Sequence, residues 1–134
     1  MIKVVIDTNI LVSALLSPSG SPARVLDHVL NGNVVLCYDS RIIEEYHEVL
    51  LRPKFGFNQK AVKQIIDFMA YTGLSIVPTP ISEAFEDEDD KVFYEVSRTA
   101  GAYLVTGNSR HFPEEPAVVA PNEFLNIMDS LSSR

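Results

Sequence analysis

Five short, almost wholly apolar runs recur along the chain, separated by longer segments in which apolar residues repeat every three or four positions. Short apolar runs are typical of strands covered on both faces, as in a parallel sheet. The three-to-four periodicity is typical of amphipathic helices. The expected strands are residues 2–6, 34–37, 74–77, 103–105 and 117–119.

Capping and helix-stopping residues divide the intervening segments into six expected helices. Their expected bounds are residues 10–16, Ser21-Pro22 to Asn31-Gly32, Ser40 to Arg52-Pro53, Asn58 to Gly73, a helix that contains Val92 and Phe93 and ends near Gly101, and residues 121–131. Strands that alternate with helices predict a three-layer, Rossmann-like α/β domain with a central parallel sheet flanked by helices. We expect residues 78–87 and the tail from residue 130 to be the least ordered.

The size and composition predict one globular domain over residues 1–134. Hydrophobic residues make up 46% and charged residues 22%, which excludes a disordered or fibrous protein. No apolar run approaches the roughly 20 residues of a membrane span, and an acid at position 7 interrupts any secretory signal. We therefore expect a cytoplasmic protein. The one cysteine, Cys37, is expected to be a buried strand residue.

The net charge of −7 is unfavourable for binding nucleic acid, because Lys and Arg provide most of the affinity for phosphate backbones. A nuclease that binds phosphate through divalent metals nevertheless needs a carboxylate cluster, and that cluster itself lowers the formal charge. The net charge therefore does not exclude a metal-dependent nuclease.

Two carboxylates occupy positions that favour a site. Asp7 directly follows the first strand, at the end of the sheet where reactive groups collect. Glu45 borders the apolar face of the third helix, whereas Glu44 and Glu48 lie farther toward solvent. The alternatives are that Asp7 or Asn9 only caps the next helix, and that Glu45 is a solvated surface residue.

An acidic run and a polar turn add two further positions. The run of six acids between residues 83 and 90 precedes the fifth helix, where Asp87 is an expected N-cap and Asp90 the third helical residue. Helical periodicity does not exclude Asp89. Asn108 offers a neutral oxygen in the turn after the strand at residues 103–105. Acids from distant segments at one sheet edge are tolerable chiefly when hard cations bind, which favours a metal site.

The chain resembles PIN domains, and in particular the group regarded as toxin components of toxin–antitoxin pairs. The resemblance covers nearly the whole chain and depends on the order of several segments. These segments are VVIDTNILVSAL at residues 4–15, SRIIEEY at 40–46, Val49-Leu50, RPKF at 52–55, DEDDKVF at 87–93, YLVTGN at 103–108 and HFP at 111–113.

The resemblance implies a metal-dependent endoribonuclease that uses Mg²⁺ or Mn²⁺. Asp7, Glu45 and Asp90 match the acids of the family, and the distance to Thr106 favours Asp90 over Asp89. Asn108 stands where many members have Asp, so this position lacks a charge for a second metal. The implied partners are RNA and a small antitoxin protein, while the sequence leaves open whether the chain also forms a homo-oligomer.

Several residues are expected to assist this chemistry. We expect Thr8, Asn9, Ser13 and Arg110 to orient the acids or contact a phosphate, although capping and packing explain the first three equally well. Basic residues that could guide the RNA backbone are Arg52, Lys54, Lys60, Lys63, Arg110 and His111.

Two other functions stay open from the sequence. A phosphatase could use Asp7 as its nucleophile, but such enzymes usually have a second Asp two positions on, where this chain has Asn9. A PIN fold without catalysis could serve as a binding module, which Asn108 and the acidic balance keep open.

Overall fold

A computed structural model describes residues 1–132, which form one parallel five-stranded sheet and six α-helices. The strands are β1 (Lys3–Ile6), β2 (Val35–Tyr38), β3 (Leu74–Ser75), β4 (Tyr103–Val105) and β5 (Val118–Val119), in the spatial order β3-β2-β1-β4-β5. All four neighbouring pairs are parallel. The predicted α/β fold with a central parallel sheet is confirmed.

The helices connect successive strands or follow them along the chain. They are α1 (Thr8–Leu16), α2 (Ser21–Leu30), α3 (Ser40–Leu50), α4 (Gln59–Thr72), α5 (Glu88–Ala100) and α6 (Pro121–Ser132). Short 3₁₀ turns occupy Pro53–Phe55 and Ser109–His111.

The predicted caps were right at some helices and wrong at others. Asn58 caps α4 by accepting a hydrogen bond from the Ala61 amide at 2.9 Å. Ser40 does not cap α3, because the extended backbone of Asp39 brings its carboxylate to the Ile42 amide at 3.0 Å. Gly20, not Ser21, precedes the first residue of α2. The C-terminal tail is helical to residue 132, and residues 133–134 lie outside the described part of the chain.

Burial differs between the centre and the edge of the sheet. Val4, Val5 and Ile6 of β1 are fully buried, as expected for a strand covered by helices on both faces. The prediction of a buried third strand is wrong, because both residues of β3 are exposed and the strand has only two residues. Since β3 lies at the sheet edge beyond β2, fewer elements cover it.

Gly73 is required where α4 turns into β3. A Cβ atom at this position would lie 2.4 Å from the carbonyl oxygen of Leu36, so only glycine allows β3 to approach β2. The expected end of α4 at Gly73 is confirmed.

The strand order creates a crevice beside β1. From β1 the chain adds β2 and then β3 toward one edge of the sheet. It then returns to β1 and adds β4 and β5 toward the opposite edge. In open parallel sheets, ligands bind at such a reversal, outside the carboxyl ends of the strands. Asp7 and Thr106 directly follow β1 and β4, the two strands at the reversal. No helix within residues 1–132 has both the length and the apolar composition needed to cross a membrane.

Candidate active site

Asp7 is held at the end of β1 by contacts to the neighbouring strand. Its amide donates to the carbonyl of Val105 at 3.0 Å, and its carboxylate accepts a hydrogen bond from the Thr106 hydroxyl at 2.8 Å. The Thr106 hydroxyl in turn accepts from the amide of Asn108 at 3.0 Å. These bonds join β1 to the turn after β4 and fix the direction of the Asp7 carboxylate.

Helix capping does not account for the Asp7 side chain. Asp7 occupies the N-cap position of α1, but its side chain makes no capping hydrogen bond to the helix. Only 6% of the residue is exposed, and burial raises the pKa of its carboxyl above the ordinary 3.8. The Thr106 bond and the nearby amides of Asn9 and Thr8 oppose that rise in pKa. A buried carboxylate that forms no ion pair with Lys or Arg is costly, which favours a role beyond capping.

Glu45 projects from α3 toward the same edge. Its side chain accepts a hydrogen bond from the hydroxyl of Thr8, the buried first residue of α1. Glu45 is half-buried, whereas Glu44 and Glu48 are exposed, as the helical pattern predicts. Burial raises the pKa of Glu45 above 4.5, and the charges of Asp89, Asp7 and Asp90, in that order, raise it further.

Asp90 occupies the first turn of α5. Asp87 caps this helix by accepting from the amide of Asp89 at 2.9 Å, so Asp90 is the third helical residue, as predicted. Its side chain is 19% exposed and lies 3.5 Å from Nδ1 of His111. Burial raises the pKa of Asp90, and the charges of Asp7 and Asp87 add to the increase.

The three predicted acids form one electrostatically coupled group. The Asp7 charge raises the pKa of both Glu45 and Asp90, and the Asp90 charge raises that of Glu45. Within residues 1–132, no Lys or Arg forms an ion pair with any of the three. Asp89 is exposed, yet its charge raises the pKa of Glu45 more than the charges of Asp7 and Asp90 do, and the two residues line one cavity. Asp89 therefore also belongs to the group.

The donors fit a hard divalent cation in their chemistry. Carboxylate oxygens are the preferred ligands of Mg²⁺ and Mn²⁺, and such a cation would offset both the burial and the repulsion that raise the pKa values of these acids. Within the described residues, no three Asp, Glu, His or Cys side chains already lie close enough together to hold one metal ion. The carboxylates would therefore have to move toward one another to bind a cation together.

The expected assisting residues have different surroundings. Thr8 is buried against Glu45, so its observed contact orients that carboxylate, whereas Asn9 and Ser13 are exposed. Asn108 is half-buried in the turn after β4. Arg110 is exposed beside a cavity of about 650 Å³, whose other lining residues include Asp90, Phe85, His111 and Phe112. Substrate contacts of these residues stay predictions.

The basic stretch predicted to guide RNA is partly engaged within the protein. Arg52 forms a bidentate ion pair with Glu48 at 2.8 and 2.9 Å, and the Lys54 ammonium lies 5.1 Å from the ring centre of Phe55. Lys60 and Lys63 are exposed on α4.

Two residues support the site in ways that the sequence did not predict. Thr106 is fully buried and orients Asp7; its position directly after β4, in line with Asp7 after β1, was the available signal. The hydroxyl of Tyr46 donates to the carbonyl of Ile6 at 2.5 Å, directly before Asp7. Burial, together with the charges of Asp7 and Glu45, raises the Tyr46 pKa well above 10.0, which keeps this hydroxyl a donor. Because Tyr46 belongs to the apolar face of α3, the sequence pattern indicated a packing residue and not a hydrogen-bond donor.

The fold and the site define a Rossmann-like domain with a cluster of carboxylates at the point where the strand order of its sheet reverses. A family model described as the PIN domain matches residues 3–110, and the chain belongs to this family. PIN domains are generally nucleases and typically use divalent metals.

The chain is also similar to an uncharacterized protein of the archaeon Methanocaldococcus jannaschii. The two are 32% identical over 110 residues, which cover 80% of this chain and 71% of the relative. No solved structure matches the chain.

Proposed function

We propose that this protein is a metal-dependent endoribonuclease that hydrolyses RNA phosphodiester bonds with Mg²⁺ or Mn²⁺. The observation on which the proposal depends is the position of the three acids at the reversal of the sheet. Thr106 binds Asp7; Thr8, the residue after Asp7, binds Glu45; and the charge of Asp7 acts on Asp90 in the first turn of α5. Membership of a family of nucleases supports the reaction class.

The chain's own residues prepare this chemistry by orienting the acids. Thr106 directs Asp7 and Thr8 directs Glu45, while the start of α5 sets the position of Asp90. A divalent metal held by these carboxylates would lower the pKa of water and would stabilise the charge that develops on the phosphate. Arg110, at the cavity beside Asp90, is suited to bind a phosphate of the RNA backbone.

We further propose that the protein acts in the cytoplasm as the toxin of a toxin–antitoxin pair, inhibited by a small protein partner. The support is the resemblance to the toxin-like group of PIN domains. Expression of the chain should then arrest growth, and co-expression of the neighbouring reading frame should restore it. Growth arrest that persists in the Asp7→Asn variant would count against a toxin that acts by RNA cleavage.

The decisive test of the activity is cleavage of a labelled RNA by purified protein. We expect cleavage that needs added Mg²⁺ or Mn²⁺, stops with chelator and is lost in Asp7→Asn. Asp27→Asn, on the exposed face of α2, is the matched control and should cut like the wild type. Equal cleavage by both variants would show that a contaminating nuclease, and not this site, cuts the RNA.

A binding module is the second candidate function, favoured by Asn108 where an acid would add charge for another metal. If Asn108 limits catalysis, Asn108→Asp should tighten the binding of a second cation and raise the cleavage rate. RNA that binds but stays intact with every divalent metal, in both wild type and Asn108→Asp, would support the binding module.

A further inference from the structure

His111 is held at the mouth of the site by the structure around it. It ends the 3₁₀ turn Ser109–His111, and its amide donates to the carbonyl of Asn108 at 2.9 Å. The next residue, Phe112, is buried and packs edge-to-face on Phe85 with ring centres 6.0 Å apart. The backbone of His111 is therefore anchored on both sides.

The imidazole ring lies beside one of the proposed metal ligands, Asp90. Its Nδ1 atom is 3.5 Å from Oδ2 of Asp90. Burial is the largest cause of the raised pKa of Asp7 and of Asp90, and the His111 charge acts against that increase in both residues. His111 therefore lies beside the acid of α5, and its charge also acts on the acid at the end of β1.

The spacing suits two donors of one metal ion. Donor atoms that each lie about 2.1 Å from an octahedral cation are roughly 3 Å apart when adjacent. The observed 3.5 Å between Nδ1 and the Asp90 oxygen needs only a small movement to reach that distance. A neutral imidazole presents a nitrogen lone pair to a metal, whereas an amide such as Asn108 presents only an oxygen.

We infer that His111 is a nitrogen ligand of the catalytic cation and that the site therefore prefers a divalent transition metal such as Mn²⁺ to Mg²⁺. This inference rests on the proposed metal-dependent function. Imidazole nitrogen binds transition metals well, whereas Mg²⁺ is a hard cation that prefers oxygen donors and keeps its waters. Asn108 and His111 belong to the same turn after β4. The neutral imidazole therefore adds a metal ligand in the turn where Asn108 adds no charge.

Pulsed electron paramagnetic resonance on Mn²⁺ bound to the full chain tests the inference directly, without reference to activity. We expect a modulation from directly bound nitrogen that changes when histidine is labelled with ¹⁵N. His111→Gln should abolish it. His28→Gln should not, since His28 lies in the last turn of α2, before the opposite end of β2.

Calorimetry gives a second measurement of the same ligand. His111→Gln should weaken Mn²⁺ binding about tenfold or more, while Mg²⁺ binding changes by less than about threefold. Loss of affinity for both metals to the same extent would overturn the nitrogen ligand and leave His111 as an ion-pair partner of Asp90 only.

Different experimental results would contradict the His111 ligand and the proposed function. Mn²⁺ that binds in an Asp7-dependent manner, supports RNA cleavage and shows no bound nitrogen would overturn the His111 ligand alone. A wild-type protein that binds neither Mn²⁺ nor Mg²⁺ and cuts no RNA would overturn both.

Discussion

One hydroxyl group, on Thr106, stabilises the most buried acid of the site. Transfer of a carboxylate out of water is unfavourable unless hydrogen bonds or cations replace the lost solvation. Thr106 donates to Asp7 while its own oxygen accepts from Asn108, so a single side chain joins two strand ends.

Replacement of Thr106 by Val keeps the side-chain shape and removes this donor. We expect Thr106→Val to lower the free energy of unfolding by about 1–2 kcal/mol at neutral pH, because Asp7 stays buried and loses its partner. Thr106→Ser keeps the hydroxyl and should retain most of the stability. Urea unfolding without metal measures the free energy of unfolding of both variants. A larger loss in Thr106→Ser than in Thr106→Val would show that the methyl group of Thr106, and not its hydroxyl, provides the stability.

Asp90 should make the stability of the metal-free protein depend on pH. Its pKa is raised above the ordinary 3.8, so the folded state binds more protons than the unfolded state between 3.8 and the raised value. Stability therefore falls as the pH rises through that interval and stays lower above it.

The variant Asp90→Asn removes this contribution and should be more stable than the wild type at pH 7 without metal. The difference should disappear as the pH falls below 3.8, where Asp90 is protonated in both states. Thermal unfolding between pH 3 and 8 measures it, with Asp27→Asn as an exposed control. A variant less stable than the wild type at pH 7 would contradict the raised pKa of Asp90, which burial and the charges of Asp7 and Asp87 produce.

At the scale of elements, α5 connects the site to the irregular segment before it. The first turn of α5 contains Asp90, and its middle contains the buried Glu95. The Glu95 carboxylate accepts from the amide of Ile81 at 3.0 Å and lies 3.5 Å from the guanidinium of Arg41, which also pairs with Asp39 at 2.6 Å. Residues 78–87, expected to be the least ordered, contain no helix or strand. Residues 76–77 were expected to continue the third strand, but that strand ends at Ser75. The Glu95 bond to the Ile81 amide ties this segment to α5.

Glu95→Ala should release this segment from α5. We expect faster hydrogen exchange at the amide of Ile81 and a loss of about 1–3 kcal/mol in unfolding free energy, because a buried acceptor disappears. Glu88→Ala, at an exposed position of the same helix, is the control. Unchanged exchange at Ile81 in Glu95→Ala would show that other contacts hold the segment.

At the scale of the whole molecule, metal binding should be linked to folding. The chain has a net charge of −7, and part of that charge is gathered at one sheet edge, where a cation binds only the folded form. Ions that bind the native state alone stabilise it by mass action, by about 2.7 kcal/mol at a concentration of 100 times Kd.

Mg²⁺ or Mn²⁺ should therefore raise the melting temperature of the wild type. Asp90→Asn should reduce that rise much more than Glu86→Gln, which changes an exposed acid of the preceding segment. Thermal unfolding over a metal titration is the measurement. Equal responses of the two variants would contradict a role of Asp90 in metal binding.

The sequence by itself determined the elements and their order. Apolar periodicity depends on neighbours within a few residues, so it was sufficient to predict the alternation of strands and helices, the exposure of Glu44 and Glu48, and the cap at Asp87. Local pattern also placed Asp7 after β1, since the strand ends where the apolar run ends. The choice of Ser40 over Asp39 as a cap failed because capping depends on a backbone angle that the residue types leave open.

Only the tertiary structure decided which of these positions meet. Thr106 reaches Asp7 across 99 residues because β4 pairs with β1, and Thr8 reaches Glu45 across 37 because α1 packs beside α3. The exposure of β3 follows from its place at the sheet edge, which a short apolar run does not encode. Contacts between distant residues depend on strand order and helix packing. These are set by the free energy of the whole folded chain, so the pattern within any one segment does not determine them.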